Sequence, residues 1–137
     1  FSVRVAGNIL NEDILGSMEF GCKLAGSKII VVLGHSACGA IKGACDGAEL
    51  GHLTGLLAKI KPAINDELTV DVDRTSANVE FVEKVTAINV KKTVNSIVSK
   101  SSVLQEMVNT GEIGIVGAIH DLGTGVVHID EDSCIFN

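Results

Sequence analysis

A histidine and a cysteine stand three residues apart between Gly34 and Ala40, where their types and spacing suit metal chemistry. His35 and Cys38 lie on a predicted tight turn, so an imidazole nitrogen and a sulfur can converge on one ion. Cys38 also opens a predicted helix, where the helix dipole and free N–H groups stabilise a thiolate. Because imidazole and thiolate together suit zinc, His35 and Cys38 are the candidate metal ligands.

A third ligand for such an ion is harder to find in the sequence. A catalytic zinc needs three protein ligands and an open position. Cys45 lies seven residues beyond Cys38 on the same predicted helix, roughly 10 Å along its axis, and cannot share the ion. Nothing in the sequence brings the remaining candidates to the same place, and we interpret them as core, surface or tail residues: Cys22, His52, His120, His128 and Cys134.

Hydrophobic periodicity predicts the elements that must position this turn. A continuous Ile/Val run is typical of a parallel strand buried on both faces, and it ends directly before the turn. The predicted strands are Ser2–Val5, Lys28–Leu33, Ile113–Ile119 and Val126–Ile129. The predicted helices are Asn11–Leu24, one starting near Cys38, His52–Ile64, Ser76–Ser99 and Ser102–Thr110. The predicted turns and loops are Gly34–Ala37, the polar stretch Asn65–Thr75 and the hairpin turn Asp121–Gly125.

This alternation of strands and helices indicates an α/β fold. We expect a mainly parallel central sheet flanked by helices, with an antiparallel C-terminal edge hairpin. We also expect one domain over residues 1–137, because the sequence shows no linker, repeat or low-complexity stretch. Sites in open α/β sheets form at the carboxyl ends of the strands, where His35 and Cys38 are predicted to lie.

Composition excludes several classes of function. The 137 residues carry a formal net charge of −6 and no Trp or Tyr, which argues against a nucleic-acid partner. No apolar run approaches the ~20 residues of a membrane helix, so no membrane partner is expected. The four cysteines do not form a small, loop-rich disulfide framework, which favours a reduced, cytoplasmic protein.

Five segments of the chain resemble the β-class carbonic anhydrases. The most specific is KIIVVLGHSACGA at residues 28–40, a hydrophobic strand that ends in Gly-His-x-x-Cys-Gly-Ala. FSVRVAGN at residues 1–8 is similar to the family's Arg-x-Ala-Gly-Asn strand and turn. Supporting matches are Gly16–Phe20, Asn89-Val90 and Gly117–Val126. The resemblance covers essentially all 137 residues.

The resemblance implies a zinc enzyme that catalyses the reversible hydration of carbon dioxide to bicarbonate by attack of a zinc-bound hydroxide. His35 and Cys38 would be zinc ligands, and no catalytic residue can be assigned. Gly39 would offer a backbone N–H to bicarbonate, Val5 and Ala6 would wall the cleft, and Arg4 matches an arginine near the anion region. The family is built from dimers, and a mean hydropathy of +0.38 is high for a short chain. We therefore expect a homo-dimer or tetramer.

The chain departs from the family at one motif. The family's upstream strand carries Cys-x-Asp-x-Arg, which gives one zinc thiolate and an Asp–Arg dyad, and these 137 residues do not contain it. The segment from Asp71 to Arg74 has no cysteine and lies in the predicted polar loop, so it is no substitute. Since Phe1 opens a predicted strand, we expect the domain to be incomplete at its N-terminus.

Three other functions stay open at this point. The first is an inactive relative of the family that serves as an oligomerising module. The second is a thiol redox protein that uses Cys38 as a nucleophile, although no resolving cysteine lies nearby. The third is a zinc hydrolase that acts on an analogue of carbon dioxide such as carbon disulfide.

Overall fold

The computed structural model describes residues 1–137 and is built on a three-stranded sheet. Strand β1 (Ile29–His35) pairs in parallel with β2 (Gly114–His120), which pairs antiparallel with β3 (Val127–Ile135). The strand order is β1-β2-β3, so β1 is an edge strand. This confirms the predicted α/β class with a parallel sheet and an antiparallel C-terminal strand.

The chain has six α-helices, of which the longest packs against all three strands. They are α1 (Glu12–Glu19), α2 (Gly39–Cys45), α3 (Gly51–Ala58), α4 (Lys61–Asp66), α5 (Val79–Lys100) and α6 (Ser102–Asn109). A 3₁₀ turn covers Ala6–Asn8, and α1 continues into a π-helical turn over Phe20–Leu24. Asn11 and Asn78 cap α1 and α5, because their side-chain oxygens accept the N–H groups three residues later. No helix has the length and apolar character needed to cross a membrane.

The long helix α5 connects two buried clusters. Its second half packs Val90, Val94 and Ile97 against β1, β2 and α6. Its first half packs Phe81 and Val85 against apolar side chains of α2, α3 and α4. Burying each such side chain contributes roughly 1.5–3 kcal/mol, so α5 is the element that holds the sheet and the small helices together.

Several predicted elements differ from the structure. Residues Ser2–Val5 were predicted as a strand, which is wrong: they pair with no strand, although Val5 has extended dihedral angles (φ −146°, ψ 147°). The predicted helix His52–Ile64 is two helices, because the chain turns at Lys59 and Ile60 and Pro62 starts α4. The last strand is longer than predicted and runs to Ile135.

The prediction that the Ile/Val strand is buried on both faces is also wrong. Its side chains alternate between buried and exposed, and Val31 is 53% exposed. Ile30 and Val32 point into the cluster with α5, whereas Ile29, Val31 and Leu33 point away from it. Helix α5 covers only one face, and on the opposite face Val31 and Leu33 line a cleft beside the N-terminal segment.

Candidate active site

The end of β1 and the start of α2 position His35 and Cys38. The strand continues through Gly34 and His35, beyond the predicted end at Leu33, and the turn is reduced to Ser36 and Ala37. Gly34 has to be glycine because a Cβ there would lie 2.7 Å from Cγ2 of Val90 on α5. Ala37 has a left-handed conformation (φ +53°), and Cys38 occupies the N-cap position of α2. The predicted order of strand, tight turn and helix is confirmed.

A hydrogen bond of His35 determines which ring nitrogen is free. Its Nδ1 lies 2.9 Å from the carbonyl oxygen of Ser36. A carbonyl oxygen can only accept a hydrogen bond, so Nδ1 carries the hydrogen and donates it. In the neutral imidazole the lone pair is therefore on Nε2, which has no hydrogen-bond partner in the protein. This is the arrangement that a histidine ligand uses when its other nitrogen binds a carbonyl group.

Cys38 is a free thiol, 7% exposed, at the start of α2. Its side chain does not cap the helix. The first N–H groups of a helix have no partners within the helix, and the helix dipole favours negative charge there. The position therefore suits a sulfur that binds a cation as a thiolate.

His35 and Cys38 line one cleft of about 930 Å³. The N-terminal segment Phe1–Asn8 forms one side of it, and the end of β1 and the first turn of α2 form the other. The predicted substrate-region residues Arg4, Val5, Ala6 and Gly39 all lie on this cleft. The structure thus brings together every residue that the sequence assigned to the site, while their chemical roles stay predictions.

Two residues of α5 hold the N-terminal side of the cleft in place. The side-chain amide nitrogen of Asn89 donates to the carbonyl oxygen of Gly7 at 2.8 Å, and the hydroxyl of Thr93 donates to the backbone carbonyl oxygen of Asn8 at 3.1 Å. Gly7 and Asn8 both have positive φ angles, which bend the chain at this point. Asn89 is buried and also lines the cleft, so it is both a clamp and a polar group of the site.

His120 lies at the same site, contrary to the expectation that nothing brings it there. In the parallel ladder His120 is the partner of His35, and both residues line the cleft. Paired residues of neighbouring strands project on the same face. The signal that could have found His120 is its position directly after the predicted strand Ile113–Ile119, because the carboxyl ends of adjacent parallel strands meet at one edge.

The other candidate side chains lie elsewhere. Cys22 is buried beneath the sheet, and burial raises the pKa of its thiol. Burial, with a smaller effect of Asp46, raises the pKa of Cys45 to about 11. Cys134 was expected in the tail, but it lies within β3 and its thiol contacts the carbonyl oxygen of Asp130 at 3.3 Å. None of these cysteines, nor His52 or His128, lines the cleft.

Arg74 is also absent from the cleft. It forms an ion pair with Glu67 at 3.2 Å, donates to the carbonyl oxygens of Ile64 and Val70 at 2.7 Å, and lies over the ring of Phe81 at 4.6 Å. Its guanidinium is therefore committed to the loop in which it stands.

The cleft holds the two candidate zinc donors that the sequence proposes, His35 and Cys38. No three His, Cys, Asp or Glu side chains converge so that they could hold a metal ion. His35 and Cys38 have the right chemistry and an unpartnered nitrogen and sulfur, so the donor set suits zinc in part.

Comparisons with known proteins agree on one family. The family model described as carbonic anhydrase matches residues 1–127. Carbonic anhydrase 2 of Mycobacterium tuberculosis is 31% identical over 130 residues, which cover 91% of this chain and 59% of the relative. The chain therefore spans about three fifths of the length of that curated relative.

Solved structures share the fold. The β-carbonic anhydrase CafA of Aspergillus fumigatus superposes with a TM-score of 0.80 and 26% identity, covering 96% of this chain and 64% of that one. A tetrameric β-carbonic anhydrase of Sordaria macrospora gives a TM-score of 0.76 at 23% identity, covering 92% of this chain and 65% of that one.

Proposed function

The chain belongs to the β-carbonic anhydrase family, and on that basis we propose that it supplies part of a zinc centre for the reversible hydration of carbon dioxide to bicarbonate. The observation that carries the proposal is the placement of His35 and Cys38 on one cleft, with Nδ1 of His35 hydrogen-bonded and Nε2 free. A bound zinc supplies a Lewis acid that lowers the pKa of coordinated water to about 7.

The remaining residues of the cleft have roles that follow from their chemistry. Val5 and Ala6 present an apolar wall, which suits an uncharged linear molecule. The N–H of Gly39 lies in the first turn of α2, where it has no partner within the helix and can donate to a bicarbonate oxygen. The guanidinium of Arg4 adds positive charge for the anion.

We place the donor that completes the zinc centre outside residues 1–137, either in more of the same protein or in a partner subunit. A catalytic zinc site needs three protein ligands, and no three His, Cys, Asp or Glu side chains of the described residues converge. The curated relatives are longer than the matched part of this chain.

The alternative is a catalytically inactive, oligomerising module of the same family. The lack of three converging donors favours it, and so does the face of β1 that points away from α5, where Ile29, Val31 and Leu33 are each more than two fifths exposed. Large exposed apolar patches mark interaction surfaces, and we propose self-association as a dimer or tetramer in either case. A mass of one chain by light scattering would contradict this.

Two further features belong to the proposal. We treat residues 1–137 as one domain because α5 contributes to both buried clusters. The four cysteines are free thiols, which supports a reducing, cytoplasmic location.

Zinc content and carbon dioxide hydration of the full-length protein test the proposal. We expect the zinc affinity to fall about 100-fold or more in His35→Ala and in Cys38→Ser, because each variant removes one ligand. Loss of a residue that only hydrogen-bonds a ligand already lowers metal affinity about 10- to 100-fold. His52→Ala and Cys45→Ser remove the same residue types away from the cleft and should bind zinc like the wild type. Zinc binding that survives both ligand variants overturns the assignment. A folded, self-associating, zinc-free protein establishes the inactive module instead.

A further inference from the structure

We propose that Ser36 is a positioning residue, whose hydroxyl ties the turn between His35 and Cys38 to the loop after β2 and thereby fixes the tautomer of His35. The consequence for metal binding rests on the proposed zinc centre. The consequence for the imidazole does not, since it concerns the metal-free protein.

Ser36 makes two hydrogen bonds to a part of the chain that is distant in sequence. Its backbone N–H donates to the carbonyl oxygen of His120 at 2.9 Å. Its Oγ accepts the backbone N–H of Leu122, also at 2.9 Å. The first bond extends the parallel ladder by one step, whereas the second depends on the side chain of residue 36 and can be removed by mutation.

The loop that Ser36 contacts is itself well ordered by hydrogen bonds. The carboxylate of Asp121 accepts the N–H of Gly123 at 2.8 Å and the hydroxyl of Thr124 at 2.9 Å. The N–H of Gly125 donates to the carbonyl oxygen of Asp121 at 2.8 Å. The side chain of Ser36 is therefore attached to a loop that is held by its own hydrogen bonds.

The turn needs such an attachment because its conformation is unfavourable. Ala37 has φ +53°, a region that costs an L-residue free energy and persists only when neighbouring contacts impose it. The carbonyl group that accepts the hydrogen from Nδ1 of His35 belongs to Ser36, and its direction is set by the same turn. If the turn relaxes, this carbonyl rotates and His35 loses the bond that keeps its hydrogen on Nδ1.

Ser36 does not itself contact a ligand in the cleft. It is not among the residues that line the cleft, and its Oγ is engaged by Leu122. Its effect must therefore pass through His35, which makes it a positioning residue and not a catalytic one.

Nitrogen NMR of the imidazole rings tests the inference in the metal-free full-length protein. The spectra are recorded about two pH units above the ordinary histidine pKa of ~6.5, where neutral rings dominate. We expect one tautomer of His35 with hydrogen on Nδ1 in the wild type, and a mixture of both tautomers in Ser36→Ala. Ser36→Thr keeps a hydroxyl and should restore the single tautomer. Ser17→Ala removes a hydroxyl that only bonds Asp13 within α1, and should leave His35 unchanged.

Zinc affinity gives the second readout. Loss of an outer partner of a metal ligand lowers affinity by about tenfold or more. Ser36→Ala keeps the carbonyl that His35 contacts and only loosens its position, so we expect a loss of up to about tenfold in Ser36→Ala and recovery in Ser36→Thr. An unchanged His35 tautomer in Ser36→Ala overturns the inference, whereas an altered tautomer with wild-type zinc affinity overturns its consequence for metal binding. If the tautomer changes as expected but even the wild type binds no zinc, the positioning role stands and the proposed function fails.

Discussion

Two polar segments of this chain differ in whether their polar side-chain atoms have hydrogen-bond partners. In the loop from Glu67 to Arg74, the carboxylate of Glu67 is 2% exposed and accepts hydrogen bonds from the N–H groups of Thr69 and Val70 and from Arg74. In the turn between β1 and α2, Nε2 of His35 and the sulfur of Cys38 have no partner in the protein and border an open cleft. The polar groups of the first segment form hydrogen bonds with one another, whereas the second segment leaves a nitrogen and a sulfur available to bind a ligand.

That difference separates a structural cluster from a candidate site. Buried polar groups that bond one another stabilise a loop and have no capacity left for a ligand. Polar atoms that border a cleft without partners in the protein remain free to bind a ligand. The Asp71–Arg74 segment contains the residue types of an Asp–Arg dyad, yet Arg74 is consumed by Glu67 and two carbonyl groups.

The largest loss of stability is expected from Gly34→Ala, which disturbs the strand that supports the turn and leaves the loop from Glu67 to Arg74 unchanged. In Gly34→Ala the new methyl group would lie 2.7 Å from Val90 and 3.4 Å from Thr86, so β1 and α5 must separate. Overpacking of this kind costs about 1–3 kcal/mol, and the displacement reaches His35. Urea denaturation measures the free energy of unfolding.

Gly55→Ala is the matched control for Gly34→Ala. Residue 55 lies within α3 and a Cβ there meets no atom within 4 Å. Since alanine is the better helix former, this variant should gain up to about 1 kcal/mol. Equal stability of the two variants would show that Gly34 is not needed for the approach of β1 to α5.

The next effect concerns the loop and depends on pH. The pKa of Glu67 is lowered from an ordinary value of 4.5 to about 2, and the largest cause is the hydrogen bond that its carboxylate accepts from the hydroxyl of Thr69. A depressed pKa means that the carboxylate stabilises the fold above pH 4.5, and that this contribution is lost as the pH falls toward 2. Glu67→Gln should therefore be less stable than the wild type at pH 7, with the difference shrinking across pH 4.5–2.

Thermal unfolding at several pH values measures this difference. Glu83→Gln changes an exposed carboxylate on α5 and should follow the wild type at each pH. A Glu67→Gln deficit that stays constant down to pH 2 would mean that the charge of Glu67 plays no part in holding the loop.

Local signals predicted most of the fold around the site. The Ile/Val run, the His-x-x-Cys turn and the following helix are encoded by neighbouring residues, and the structure has them in that order. The break between α3 and α4 was also encoded, because Pro62 favours the first turn of a new helix. The apolar stripe of residues 53–60 nevertheless favoured the prediction of one continuous helix.

The remaining features depend on contacts between distant segments. An extended conformation at Ser2–Val5 does not determine whether a partner strand is present. An apolar run does not show which of its faces another element covers, so the exposure of Val31 could not be predicted. His120 reaches His35 only through the register of β1 and β2, which local spacing does not specify.

The smallest change in stability is expected at two residues, one in each segment, that share the same left-handed backbone conformation. Ala37 in the turn and Asp73 in the loop have φ angles of +53° and +50°. Alanine has no means to stabilise this conformation, so Ala37→Gly should raise the free energy of unfolding by up to about 1 kcal/mol. Asp73 tolerates it better, since its carboxylate accepts the hydroxyl of Thr75 at 2.6 Å. Asp73→Gly should therefore bring no gain, and an equal gain in both variants by urea denaturation would show that the turn holds no more strain than the loop.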